Sequence, residues 1–213
     1  MLLCHAELGW AEGGFVGLDI FFVLSGFLIT GLILGEFSRT GRISIRSFYA
    51  RRAKRLLPMA CTVLVVILVG SLVIFSTVRQ VDTAGDVLAA ALYFVNWHFI
   101  AEGVDYFAAQ DGLISPVQHY WSLSVEEQYY LIWPLLIVTC TALAARFGRN
   151  AKLLIFIAIS TVTVLSLIYS IEYTAADPRA GYFSTLTRVW ELGAGAILAL
   201  MLRRGTRLRA LTS

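Results

Sequence analysis

The sequence predicts an all-α fold: a polytopic transmembrane helical bundle. Three observations predict it. Hydrophobic residues make up 58% of the 213-residue chain and charged residues only 15%, with a mean hydropathy of +0.76. That leaves too little polar surface for a water-soluble domain of this length. Several runs approach or exceed the ~20 residues a helix needs to cross a bilayer. Residues 16–34 carry Asp19 as their only charge, and 58–78 and 153–171 carry none. The cations, finally, are gathered rather than dispersed. Of 17 Lys and Arg residues, seven lie in 36–57, three in 146–152 and four in 203–209.

The cations order the spans. Excess Lys and Arg mark cytoplasmic loops, so all three basic segments are expected inside. Residues 16–34 then run inward and 58–78 outward. Residues 120–145 return to the second basic loop, 153–171 go out, and 185–202 come back to the last cluster. The run 87–101, "VLAAALYFVNWHFIA", is 15 residues long and short for a span. It reads as an interfacial or re-entrant helix on the outer side, with Tyr93, Trp97 and Phe99 suited to an interface. The expectation is therefore five spans, or six if 87–101 is counted. "MLLCHAEL" reads as the last turns of an outward-going helix, and the chain stops in a basic loop. This predicts one membrane domain over 1–213, incomplete at both ends.

Several classes are disfavoured. Cys4, Cys61 and Cys140 have no CxxC spacing, so neither a zinc site nor a disulfide framework is signalled, and no metal is expected. A net charge of +3 is too small to suggest a nucleic-acid partner.

Four constellations could carry chemistry. His5 and Asp19 flank a glycine-rich turn and fall at roughly one membrane depth. A His held by a carboxylate is an oriented general base, although the pair would equally serve to lock the hairpin. In "SPVQHYWSLSVEEQYYLIWP", Ser115, Pro116 and Gln118 read as a helix start. From there His119, Ser122, Glu126, Tyr129 and Trp133 fall on one helical stripe. Glu126 is expected to face a cavity and Glu127 to point elsewhere, toward headgroups; the competing reading, an aromatic belt at the outer interface, accounts for Tyr120, Trp121 and Trp133 but not for Glu126 and Gln128. In "FYARRAKRLLP", Arg51, Arg52 and Arg55 set topology in any case. Arg52 and Arg55, three apart, would share a helix face, and guanidinium forks suit phosphate. In "RVWELGAGAILAL", Arg188 and Glu191 can pair at i,i+3, and Gly193, Gly195 and Ala199 are small-residue packing positions.

Taken in order, these motifs resemble the membrane-bound acyltransferase 3 family of bacteria, which includes O-antigen and peptidoglycan O-acetylases. The resemblance covers nearly the whole chain and rests on five ordered motifs, the fifth being "NWHFIAEGVDYF" between the basic block and "HYWSLSVEEQYY". It implies about ten spans and transfer of an acyl group, commonly acetyl from acetyl-CoA on the cytoplasmic side, to a sugar hydroxyl outside. It implies residence in the inner, cytoplasmic membrane, with the lipid bilayer, acyl-CoA and a glycan or lipid-linked sugar as partners. Acyl-CoA would be a co-substrate and no cofactor would be bound. His5 matches the family's first-helix His, and Arg52 and Arg55 match its Arg-x-x-Arg motif. Trp121, Ser122, Leu123, Glu126, Gln128 and Tyr129 match its W-S-L-x-x-E-x-Q-F/Y-Y motif. The expected roles are His5, Asp19 and Glu126 in catalysis and Arg51, Arg52 and Arg55 at the donor. His119, Trp121, Ser122, Gln128, Tyr129, Arg188 and Glu191 fall to the acceptor side. The rival readings are a proton-coupled carrier of small organic acids, which would also use intramembrane His, Asp and Glu, and a chain with no activity of its own.

Overall fold

The structure, a computed structural model, describes residues 16–106 and 114–209, with 203–209 described by their backbone alone. The described residues form helices α1 (Val16–Thr40), α2 (Ile45–Ile74), α3 (Thr77–Ala91), α4 (Val95–Ala101), α5 (Tyr120–Arg146), α6 (Ala151–Ala176), α7 (Pro178–Phe183) and α8 (Thr185–Arg209). Among them α1, α2, α5, α6 and the Thr185–Leu202 part of α8 are long and apolar enough to cross a membrane. The chain is a multi-pass membrane protein, and these five helices are the five spans read from the sequence.

Three boundaries differ from expectation, each for a local reason. First, α2 begins at Ile45, so the cationic block is itself helical. Ser44 starts it by accepting a hydrogen bond from the Ser47 N–H. The Arg, Lys, Ala and Leu residues that follow are good helix formers, and Pro58 lies inside the helix rather than opening it. Second, 87–101 is not one helix. It divides between α3 and α4 at Tyr93, which adopts a left-handed conformation with φ 53°. Third, α5 begins at Tyr120, not at the Ser115–Pro116 signal. The Gln118 N–H reaches the Ser115 carbonyl and the Tyr120 N–H reaches that of Val117. These i,i+3 bonds make a turn, which holds His119 outside the helix.

The helices group into two units. One contains α1, the Pro134–Ile168 stretch and α8 from Arg188 onward. Its core includes Phe22, Ile29, Ile33, Ile155, Ile159 and Leu192, while Ile20, Leu24, Leu28 and Leu32 form an exposed apolar stripe on α1. Such a stripe is the surface a span presents to lipid. Here α1 and α8 approach through glycine. A Cβ on Gly26 would overlap the Leu192 carbonyl oxygen, and one on Gly195 would overlap that of Val23. A Cβ on Gly193 would strike the Thr163 hydroxyl. Without a hydrophobic force between helices in lipid, such close backbone packing is a main source of association.

The other unit contains Ser44–Trp133 and Tyr169–Thr187. Its core is aromatic. Trp121 lies 4.8 Å from the Tyr182 ring and 5.5 Å from that of Phe183, and Tyr106 stacks on Tyr182 at 4.5 Å. Tyr129 stacks on Trp133 at 4.3 Å. Tyr120, Trp121 and Trp133 are all buried, so they pack the protein interior, which counts against the aromatic-belt alternative.

The glycine contacts make a sharp prediction. Gly26→Ala and Gly195→Ala should each destabilise the protein by ~2–3 kcal/mol, because the atom in the way is backbone and cannot rotate aside. Gly31→Ala, where the added carbon meets nothing within 4 Å, should cost nothing. Unfolding of the three variants in mixed detergent micelles measures the difference.

Candidate functional site

In the second unit α2 and the first turns of α5 lie side by side and antiparallel. The Tyr49 hydroxyl donates to the Leu131 carbonyl at 2.6 Å, Arg52 pairs with Glu127 at 2.9 Å, and the Tyr120 hydroxyl donates to the Ala60 carbonyl at 3.0 Å. This register corrects two sequence readings. The cationic block, assigned to the inner face, lies beside residues 127–131 in the first half of the 120–145 span and not beside its inner end, while Tyr120 lies beside Ala60 in the apolar part of α2. Glu127, expected at the headgroups, faces α2 instead. The cause is the length of α2: 30 residues make a helix of roughly 45 Å, longer than a bilayer core, so its basic first half is free to line α5.

A cavity of about 260 Å³ opens at this seam, lined by Tyr49, Arg52, Leu92, Tyr93, Glu127, Gln128, Tyr130 and Leu131. Arg52 is its main charged feature. Its guanidinium lies 3.7 Å from the centre of the Tyr130 ring and is gripped by Glu127 through Nη2. Its Nε is buried with no hydrogen-bond partner among the described residues. A buried unmatched N–H costs about 1–3 kcal/mol, so a ligand oxygen that met it would bind with that gain. Arg55 is exposed and is not among the lining residues. Arg51, also exposed, bonds the Ser47 hydroxyl at 2.5 Å. The expected Arg52–Arg55 fork therefore contributes one guanidinium to the cavity, not two.

The cavity wall is held by Gln128. Its amide nitrogen donates to the Tyr93 carbonyl at 2.8 Å and to Asn96 Oδ1 at 2.9 Å. Its oxygen accepts from the Trp97 indole at 3.0 Å and the Thr185 hydroxyl at 2.6 Å. Asn96 closes a ring by donating to Thr185 at 3.0 Å. A neutral amide has four bonding positions, and all four are filled. Gln128 thus supports the site through other residues and has no bond left for an acceptor. Tyr93 is fixed in its left-handed conformation by this network. That conformation costs about 1–2 kcal/mol for a side-chain-bearing residue and persists where surroundings over-determine it. Burial, with the Glu127 carboxylate nearby, raises the Tyr93 phenol above its ordinary pKa.

The rest of the expected stripe separates. Glu126 is buried and accepts from the Tyr130 hydroxyl, one layer behind the cavity that Glu127 lines. Tyr129 and Trp121 are core residues. Ser122 donates to the His119 carbonyl at 3.3 Å, and His119 itself is exposed.

The first unit holds a second charged group. Arg188 bridges Glu191 at 2.8 Å and Asp19 at 3.3 Å. The i,i+3 pair is the one expected; Asp19 joins it. Glu191 is 1% exposed, and its Oε2 has no partner among the described residues. His5, the expected partner of Asp19, lies outside the described residues.

A family model for the acyltransferase domain, acyltransferase 3, matches residues 5–213. The chain belongs to the acyltransferase 3 family. Among curated relatives, this acyltransferase chain is 40% identical over 202 residues to the O-acetyltransferase OatA of Staphylococcus aureus, covering 94% of the chain and 32% of the relative. It is 36% identical over 198 residues to the peptidoglycan O-acetyltransferase OatA of Listeria monocytogenes, covering 92% and 31%. The acyltransferase chain thus spans about a third of the length of these relatives. No solved structure matches it at a significant level.

Sequence reasoning passed over Asn96, Tyr130 and Thr185, and read Tyr93 only as an interface residue. Two left a signal. Tyr130 falls at i+3 from Glu127 and i+4 from Glu126, within reach on a helix, and Asn96 is a lone amide in an apolar run that had to find a partner. The conformation of Tyr93 has no sequence signature.

Gln128→Leu should cost this acyltransferase chain ~3 kcal/mol, because it strands four bonding groups at once. Arg55→Ala should stay within about 0.5 kcal/mol. A double-mutant cycle between Arg52→Ala and Glu127→Ala, read by unfolding in micelles, should give a coupling of ~1 kcal/mol or more, and the same cycle with Arg55 none.

Proposed function

We propose that this chain is the membrane domain of an O-acyltransferase of the inner, cytoplasmic membrane. It moves an acetyl group from an acyl-CoA, approached from the cytoplasmic side, to a hydroxyl of an extracytoplasmic glycan. Peptidoglycan is the acceptor favoured by the name of its Listeria relative. The observation that carries the reading is Arg52. A family motif residue stands in the wall of a cavity with a buried N–H that has no partner among the described residues and is placed to meet a ligand oxygen. The positive-inside rule puts this basic half of α2 toward the cytoplasm.

The chemistry is acyl transfer. The acceptor oxygen attacks the thioester carbonyl, a C–O bond forms and the C–S bond breaks. The hydroxyl proton passes to a general base, and the CoA thiolate leaves and is protonated. His5, by its match to the family motif, is that base. Arg52 meets a phosphate or the developing oxyanion, the latter being the charge most worth stabilising, and Glu127 holds the guanidinium in orientation. At about 260 Å³ the cavity lies just below the ~300–1,000 Å³ of ordinary ligand sites. It suits the thioester end of the donor, with the nucleotide left to the exposed Arg51 and Arg55. Glu126 supports this wall through Tyr130, and Asp19, Arg188 and Glu191 form a separate charged group toward the acceptor. Acyl-CoA is consumed as a co-substrate, and no cofactor is resident.

The test uses the full-length protein in proteoliposomes, with labelled acetyl-CoA and glycan strands as acceptor. Arg52→Ala should raise the donor KM ~10-fold, the equivalent of a charge-assisted bond of about 1.5 kcal/mol, at unchanged membrane insertion. His5→Ala should lower kcat by ~10²-fold or more and leave donor binding intact. If His5→Gln keeps most of the activity, the base is another residue. Proton-coupled flux of a small organic acid with no acetyl transfer would overturn the enzyme reading in favour of a carrier.

A further inference from the structure

Away from the cavity, α3 and α4 bring together three side chains that acyl transfer does not use. Asp86 belongs to α3, His98 to α4, and Glu102 caps the end of α4. His98 Nε2 lies 3.2 Å from Asp86 Oδ1 and 3.3 Å from Glu102 Oε1. The donor atoms of all three lie within 4.8 Å of one another.

Both carboxylates meet the same ring nitrogen. That nitrogen carries at most one proton, and a single N–H cannot align well with two acceptors. Even with a protonated imidazole the cluster holds two negative charges against one positive. A dication in place of that proton would meet the nitrogen lone pair and one oxygen from each carboxylate. The spacing agrees. With metal–ligand bonds of ~2.0–2.2 Å, tetrahedral ligands stand about 3.3 Å apart. One imidazole with two carboxylates is a donor set for divalent transition ions. The Glu102 side chain, 54% exposed, is free to close the remaining span.

We propose that Asp86, His98 and Glu102 bind a divalent transition-metal ion of the zinc class, with water completing the coordination on the exposed side. The ion ties α3 to α4 across the left-handed break at Tyr93. Because α4 carries Asn96 and Trp97, both bonded to Gln128, the ion is a structural clamp behind the cavity wall. The inference stands apart from the acyl-transfer reading and survives its failure.

The experiment uses the whole chain in detergent micelles, purified without a polyhistidine tag and stripped with a chelator. It is titrated with Co²⁺ by visible absorption and with Zn²⁺ by equilibrium dialysis. One ion per chain is expected, with affinity lowered at least ~10-fold in His98→Ala and in Glu102→Gln and unchanged in Cys61→Ser. Zn²⁺ should raise the thermal midpoint of the wild type but not of Glu102→Gln, whose exposed site lets the variant fold. Affinity unchanged in either ligand variant, or no stoichiometric uptake by the folded wild type, overturns the proposal.

Discussion

A side-chain amide has two N–H donors and an oxygen with two lone pairs, and each left unmatched in apolar surroundings costs about 1–3 kcal/mol. At Gln128 all four positions are satisfied, by the Tyr93 carbonyl, Asn96, Trp97 and Thr185. The arrangement of the second unit follows from that saturation. It holds α4 against α5, fixes the backbone where α3 breaks, and ties in the first residue of α8. Because the partners come from two separate stretches of chain, residues 93–97 and Thr185, neither stretch can move without stranding groups on Gln128.

The cavity depends on the contrast between saturated and unsaturated groups. Gln128, Asn96 and Thr185 satisfy one another and form a rigid wall. Arg52 does not complete its bonding among the described residues. Glu127 and the Tyr130 ring hold its guanidinium in place, which removes the entropy of a long side chain, while the buried Nε–H has no partner among the described residues. A preorganised donor in a low-dielectric site is worth more to a ligand than a mobile one in water. In the first unit Glu191 shows the same pattern, with one oxygen held by Arg188 and the other buried and unmatched among the described residues.

Packing between spans rests on a different constraint. Lipid is as apolar as leucine, so helices gain little by hiding leucine from it and gain mainly by close approach. Gly26 and Gly195 make that approach possible between α1 and α8, and the leucines of the α1 stripe remain outside. The helix face that packs is set by where side chains are missing.

What the sequence by itself determined is what depends on local composition. The five spans were legible because crossing a bilayer requires a long apolar run whatever its neighbours do. The Arg188–Glu191 pair was legible because i,i+3 spacing places the two on one helix face. The tertiary structure alone decided whatever depends on register between distant segments. Arg52 and Glu127 are 75 residues apart, and no hydropathy window shows that the basic half of α2 lines α5. The order of Glu126 and Glu127 around the cavity was read the wrong way round for the same reason. Helical periodicity gives the angle between neighbouring side chains, but only a packed partner sets which angle points to the cavity.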